Sequence, residues 1–227
     1  MGVVERKERE KESRRQEILK AGEQLFILQG VQNTTMEQIA NRVEISRATL
    51  YLYFRSKEEL FHTIVLNALN VLFDMMEERS RLEEATEKKL TAIGRGYLDF
   101  YKQYRNYFKL INYMEDSGQV PVEYDSIELS AQLFRKSNDI WDLIVKIIDK
   151  GKEEGYIKES VDSFETAIML WSSSNGIIQI IDHFKYIHNE LPADFPPEMQ
   201  FLHNFYSINP EKMLNTLWDM ILKGIRK

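Results

Sequence analysis

Between residues 35 and 57 apolar side chains fall at helical spacing twice, on either side of an interval short enough to require a tight turn. Ile39, Ala40 and Val43 form the first set, Leu50 and Phe54 the second, and Ile45 stands where it can plug the angle between them. An upstream helical pattern supplies Ile18, Leu19, Leu25 and Phe26 as a further wall. A packed three-helix unit of this kind is the sequence form of a helix-turn-helix, whose second short helix is suited to the major groove of a DNA duplex.

With Leu50 and Phe54 turned inward, Arg47, Ala48, Tyr51 and Leu52 point away from the core. Arg47 can bond base edges or a phosphate, while Ala48 permits close approach or meets a thymine methyl. Thr35 is placed to offer a hydroxyl and a helix N-terminus to a phosphate, and Lys57 would do likewise at the start of the next helix. Helix-turn-helix geometry also occurs in proteins that never meet DNA. Here, however, the outward positions carry hydroxyl, aromatic and cationic groups together.

Strand-like alternation is absent and helical spacing recurs nearly everywhere, so the chain reads as all-α. The expected helices lie near 13–29, 36–42, 46–53, 57–80, 84–105, 106–114, 125–154, 162–187, 197–206 and 210–225, with the clearest loop at 188–197. Ser13/Gln16, Thr35/Gln38 and Ser56/Glu59 have the capping-box spacing, Asp162/Glu165 is an acidic variant, and Asn209-Pro210 gives an N-cap followed by proline. The first eleven residues form a charged extension. Their alternating signs favour a solvated, frayed helix end over an arm reaching a groove.

Thr34-Thr35-Met36-Glu37-Gln38-Ile39-Ala40, Ile45-Ser46-Arg47-Ala48-Thr49-Leu50-Tyr51-Leu52-Tyr53-Phe54 and Ser56-Lys57-Glu58-Glu59-Leu60 closely resemble the DNA-binding signature of the TetR family of bacterial transcriptional regulators. Arg15-Gln16-Glu17-Ile18-Leu19-Lys20-Ala21, with Leu25-Phe26 and Gly30, is similar to that family's first helix. The resemblance implies a DNA-binding domain over 12–72, with its motif at 35–54, and a helical body over 73–227. It also implies DNA contacts from Thr35, Arg47, Ala48, Thr49, Tyr51, Tyr53 and Lys57. One departure stands in the turn, where the family usually has Ala-Gly and this chain has Val43-Glu44. Glycine suits a left-handed turn residue, so Glu44 should cost ~1 kcal/mol or bend the turn.

No spacing pattern identifies the body's chemistry. Tyr97, Tyr101, Tyr104 and Phe108 recur on one side of a helix, and Ile140, Trp141, Ile144, Ile147 and Ile148 follow the same rule on another. Such stripes are usually core, yet so many polar-tipped rings need partners that a pocket can supply. The resemblance implies a small, largely hydrophobic effector, and Tyr97, Tyr101, Tyr104, Phe108, Trp141 and Trp171 are the expected pocket residues. It also implies a homodimer, because residues 167–178 resemble the family's dimerising helix. Trp171, Gly176, Ile177, Met213, Leu217, Trp218 and Ile221 are the expected interface.

Net charge is −6, which argues against non-specific coating of nucleic acid; residues 1–60 carry +1 and the remainder −7. Cysteine is absent, excluding thiolate chemistry. His62, His183, His188 and His203 form no metal-ligand pair, and neither a phosphate loop nor a nucleophile elbow is present. No metal, cofactor or catalysis is therefore expected. No apolar run spans a bilayer, and a cytoplasmic protein is expected. The sequence thus reads as an effector-responsive repressor that binds double-stranded operator DNA. The alternative is an all-α sensor or interaction protein whose DNA binding is impaired, with Glu44 as the suggestive defect.

Overall fold

The computed structural model describes residues 2–117, 127–190, 204 and 207–227. Nine helices are defined among them: α1 Val3–Gln29, α2 Met36–Arg42, α3 Arg47–Tyr51, α4 Lys57–Arg81, α5 Thr86–Gln103, α6 Arg105–Ser117, α7 Ile127–Glu153, α8 Ser163–Glu190 and α9 Pro210–Ile225. The only β pairing among the described residues is a single antiparallel bridge between Ile157 and Arg226. The protein is all-α, as the periodicity requires.

Most helix starts follow the local chemistry of their caps. Thr35 accepts a hydrogen bond from the Gln38 amide at 3.2 Å, and the Gln38 side chain accepts one from the Thr35 amide at 2.8 Å. Ser56 accepts from the Glu59 amide, Asp162 from the Glu165 amide, and Asn209 from the amides of Glu211 and Lys212.

The first helix corrects an expectation. It begins at Val3, not at residue 13, and Ser13 lies inside it. The segment holds good helix formers, and side-chain pairs one turn apart brace it: Arg6 with Glu10, Gln16 with Glu12 and Arg14 with Glu17. Likewise α8 runs through the expected loop start to Glu190. By contrast α3 ends at Tyr51, short of the expected residue 53. The helix expected at 197–206, residue 204 apart, and most of the loop before it lie outside the described residues, as does His203.

Packing divides the chain into two units, Met1–Met75 with Asp99–Asp139, and Met76–Leu98 with Ile140–Lys227. In the first, Ile18, Phe26, Ile39, Leu50, Phe54 and Phe61 are buried together with Phe100 and Phe108. Gly22 lets α1 and α4 approach closely, because a β-carbon there would overlap the Leu60 side chain. In the second, Leu90, Ile93, Ile144, Ile148, Leu170, Ile178, Leu214 and Leu222 make the core. Its C-terminus is pinned by the bridge, through Lys158 N–H to Ile225 O and Lys227 N–H to Tyr156 O, each 3.0 Å.

Candidate nucleic-acid interface

The turn between α2 and α3 is set by backbone bonds: the Ile45 amide donates to Ala40 O at 3.0 Å and the Glu44 amide to Asn41 O at 3.3 Å. Glu44 takes the left-handed conformation, φ 56°, as expected for the position where glycine would be easier. Ser46 then caps α3. Its hydroxyl accepts from the Thr49 amide at 3.0 Å and lies 2.8 Å from the Thr49 hydroxyl. Sequence reasoning named Thr49 and passed over Ser46, although the Ser-x-x-Thr spacing before an apolar residue is a readable cap signal.

With Leu50 fully buried, the opposite face of α3 is solvent-facing. Arg47, Ala48 and Tyr51 are exposed there, Thr49 and Tyr53 are half-buried, and Leu52 is 80 % exposed. The Arg47 guanidinium donates to the Tyr51 hydroxyl at 3.3 Å and lies 5.5 Å from the ring centroid. This contact, which raises the Arg47 pKa, joins a permanent cation and a flat polar-tipped ring into one unit. A guanidinium held by a tyrosine loses less conformational freedom on reaching a base edge or a phosphate than a free one.

Thr35 is exposed at the N-terminus of α2, and the loop before it is fastened at several points. The Gln29 side-chain amide donates to Gln38 Oε1 at 2.9 Å and to Thr34 Oγ1 at 3.3 Å, and the Thr34 hydroxyl donates to Gly30 O at 2.8 Å. Lys57 completes the clamp, with Nζ 2.8 Å from Val31 O and 3.3 Å from Gln32 O. Lys57 is half-buried and spends two of its three N–H donors on the loop that presents Thr35. The expected set is thus brought onto one domain, but its members differ. Arg47, Ala48 and Tyr51 are outward, Thr35 is exposed but gives both its amide and its hydroxyl to Gln38 Oε1, and Lys57 holds the frame.

The family model described as "Bacterial regulatory proteins, tetR family" matches residues 18–64, which contain all of these groups. Residues 18–64 thus carry the DNA-binding domain of the TetR family. The HTH-type transcriptional repressor KstR2 of Mycobacterium tuberculosis is 23 % identical over 150 residues, covering 66 % of this chain and 72 % of that protein. The uncharacterized HTH-type transcriptional regulator YfiR of Bacillus subtilis is 26 % identical over 179 residues, covering 74 % and 80 %. The transcriptional regulator FadR of Bacillus subtilis, solved in complex with stearoyl-CoA, has the same fold, with a TM-score of 0.65, 15 % identity and coverage of 92 % and 98 %. This protein is accordingly a DNA-binding transcriptional regulator.

The six expected pocket residues of the regulator fall three to each unit. In the second, the Trp171 ring lies 5.3 Å from Tyr97 and 5.6 Å from Trp141, and Phe164 adds an edge 6.1 Å from Trp141. The Tyr97 hydroxyl donates to Asn175 Oδ1 at 3.1 Å, so its polar tip is satisfied within the cluster. In the first, Tyr101 meets Phe108 edge-on at 5.1 Å under the Arg105 guanidinium, and Tyr104 stacks on both Phe100 and Tyr107 at 5.9 Å.

The expected dimer residues separate by face. Met213 is exposed, while Leu217, Ile221, Ile177 and Gly176 are half-buried, and open space surrounds Gly176. Ile177, Met213, Leu217 and Met220 line an apolar groove of about 520 Å³ along α8 and α9. Trp218 is a correction. It turns inward, only 7 % exposed, with its indole N–H donating to Ser174 Oγ at 2.9 Å. The helical spacing that put it beside Leu217 also puts it one residue round the helix, on the face that meets α8 and Gly94.

Proposed function

We propose that this TetR regulator is a homodimeric repressor released from its operator by a small, largely hydrophobic effector. The observation that carries the DNA reading is the Arg47–Tyr51 unit, exposed on α3 beside Ala48 and Leu52. Nothing within the domain needs that pair for packing, whereas a base edge and its phosphates do use a cation, a ring and a small residue at this spacing. Thr35 adds a second phosphate contact from α2, Thr49 and Tyr53 border the same surface, and Lys57 acts through the loop it clamps.

The apolar stripe of Met213, Leu217 and Met220 supports the homodimer, since so many large side chains along one helix favour burial against a second copy. A twofold pair sets two recognition helices one turn of DNA apart, ~34–36 Å, on a palindromic site. The Tyr97–Trp141–Trp171 cluster favours an apolar ligand with one polar group, and the stearoyl-CoA bound by the related FadR fits that chemistry. An effector lowers DNA affinity only by the ratio of its affinities for the released and bound conformations. KstR2, a repressor, supports the same sign of regulation here.

The test is a gel-shift titration on genomic fragments selected by the purified protein, with long-chain acyl-CoA and sterol ligands added to the complex. Tyr51→Ala should weaken operator binding by on the order of tenfold while sedimentation still shows the dimer. Unchanged affinity overturns the contact assignment. Persistence of the complex at saturating levels of every apolar ligand overturns the effector reading.

A further inference from the structure

The N-terminal turns of α1 segregate their charges. Lys7, Lys11, Arg14 and Arg15 recur at the intervals of a single helical face. That face is the one which, further along, buries Ile18 and Gly22 and half-buries Leu25. Glu8 and Glu10 flank the stripe, while Glu5 and Glu12 lie behind it. The cations are not equivalent. Arg14 is paired with Glu17 and Arg15 lies over the Phe54 ring at 5.0 Å, but neither Lys7 nor Lys11 has an ion-pair partner among the described residues. On the far side Arg6 is paired with Glu10, and Arg9 donates to the carbonyl of Glu5.

Arg15 fixes where this stripe begins. Phe54 is buried three residues beyond Tyr51, so the cations start beside the recognition helix and run out along α1 past the end of the domain's packing. Two unpaired ammonium groups one turn apart, continuous with a DNA-binding surface, suit another row of phosphates. We propose that this extension is a second phosphate-binding element, with Lys7 and Lys11 gripping the backbone of DNA that flanks the sequence read by α3. The proposal rests on the DNA-binding reading and deepens it. It also departs from the expectation of a merely solvated helix end, because ordered helix keeps the four cations on one side.

The experiment uses the full-length dimer and a 40-base-pair genomic duplex selected by the wild-type protein, alongside the same duplex trimmed to the α3 footprint. Lys7→Gln/Lys11→Gln is compared with Arg6→Gln/Arg9→Gln, which removes equal charge from the opposite face; glutamine preserves helix, as circular dichroism will verify. Each lost phosphate contact flattens the plot of log affinity against log salt by ~0.9, so the lysine variant should lose about 3–4 from the dimer's slope on the long duplex. The trimmed duplex should show little change, and Lys7→Arg/Lys11→Arg should restore the slope. Equal slopes for wild type and lysine variant on the long duplex overturn the proposal while leaving α3 as the reader. Equal losses from both faces overturn it in favour of bulk charge. A lysine effect on sedimentation with the slope unchanged overturns it in favour of contact between copies. A wild-type protein that ignores every duplex at low salt sinks the underlying reading and the proposal together.

Discussion

Lys57 Nζ sits 2.8 Å from the carbonyl oxygen of Val31, twenty-six residues upstream. A cation at the mouth of a helix-turn-helix invites assignment to a phosphate, but here it ties α4 to the loop that delivers Thr35. Removing it leaves two carbonyls, Val31 O and Gln32 O, without their charged donor. Lys57→Met should therefore lower stability by about 1–2 kcal/mol in urea unfolding, since solvent screens a contact that is only partly buried. DNA affinity should fall as well, through the misplaced loop. A variant of unchanged stability with weakened binding would make Lys57 a direct phosphate ligand and remove its role in the frame.

Glu44 holds φ 56°, in a region where a β-carbon crowds the following carbonyl. Glu44→Gly should raise stability by ~1 kcal/mol, offset in part by the larger entropy of glycine in the unfolded chain. It also removes an exposed carboxylate from the turn before α3, so on the proposed reading operator binding should tighten, most visibly at low salt. Chemical denaturation and gel shifts at two ionic strengths measure both effects. A destabilised variant would mean that the Glu44 side chain stabilises the turn by more than the backbone strain costs.

Local chemistry was the legible part of this fold. Thr35 with Gln38, Ser56 with Glu59 and Asn209 with Pro210 announced helix starts because the groups concerned lie within one turn. The left-handed Glu44 was readable for the same reason. Ser13/Gln16 misled because identical spacing inside a longer helix has no cap to form, and only the preceding ion pairs reveal that the helix continues. The side of α9 was not legible. Leu214, Trp218 and Leu222 on one face and Met213, Leu217 and Met220 on the other are comparably apolar, and the choice between them depends on Ser174 and Gly94, far away in sequence. Lys57 was hidden in the same way, since no local pattern marks a carbonyl across a folded loop.

That choice of face separates two kinds of variant. Ser174→Ala leaves the buried Trp218 indole N–H without an acceptor, and should cost about 1–3 kcal/mol of stability. Gly94→Val should act alike, because its first added carbon would stand 2.9 Å from the Trp218 ring. Met213→Glu with Leu217→Glu should instead leave the monomer's fold intact and shift sedimentation from dimer to monomer. If Ser174→Ala dissociates the dimer with no loss of stability, Trp218 belongs to the interface after all.

His62 supplies a pH dependence. It is buried in α4, its Nε2 has no hydrogen-bond partner among the described residues, and burial pushes its pKa below the ordinary histidine value, with Glu58 opposing only in part. A base whose folded pKa is depressed contributes stability that is fully present above its unfolded value, near ~6.5, and is lost as pH falls through the folded one. Below that unfolded value the unfolded chain binds the proton and the folded chain resists it. The wild-type protein should therefore lose up to about 1.4 kcal/mol per pH unit on this account as the medium is acidified. His62→Leu removes the titrating group and should flatten the acid side of the stability profile relative to wild type, leaving other carboxylates to set what remains. Urea unfolding from pH 8 to pH 5 on both proteins gives the comparison. Parallel profiles would mean that the folded protein already hydrates the His62 ring, for instance through a water at Nε2, and that the imidazole titrates as freely there as in the unfolded chain.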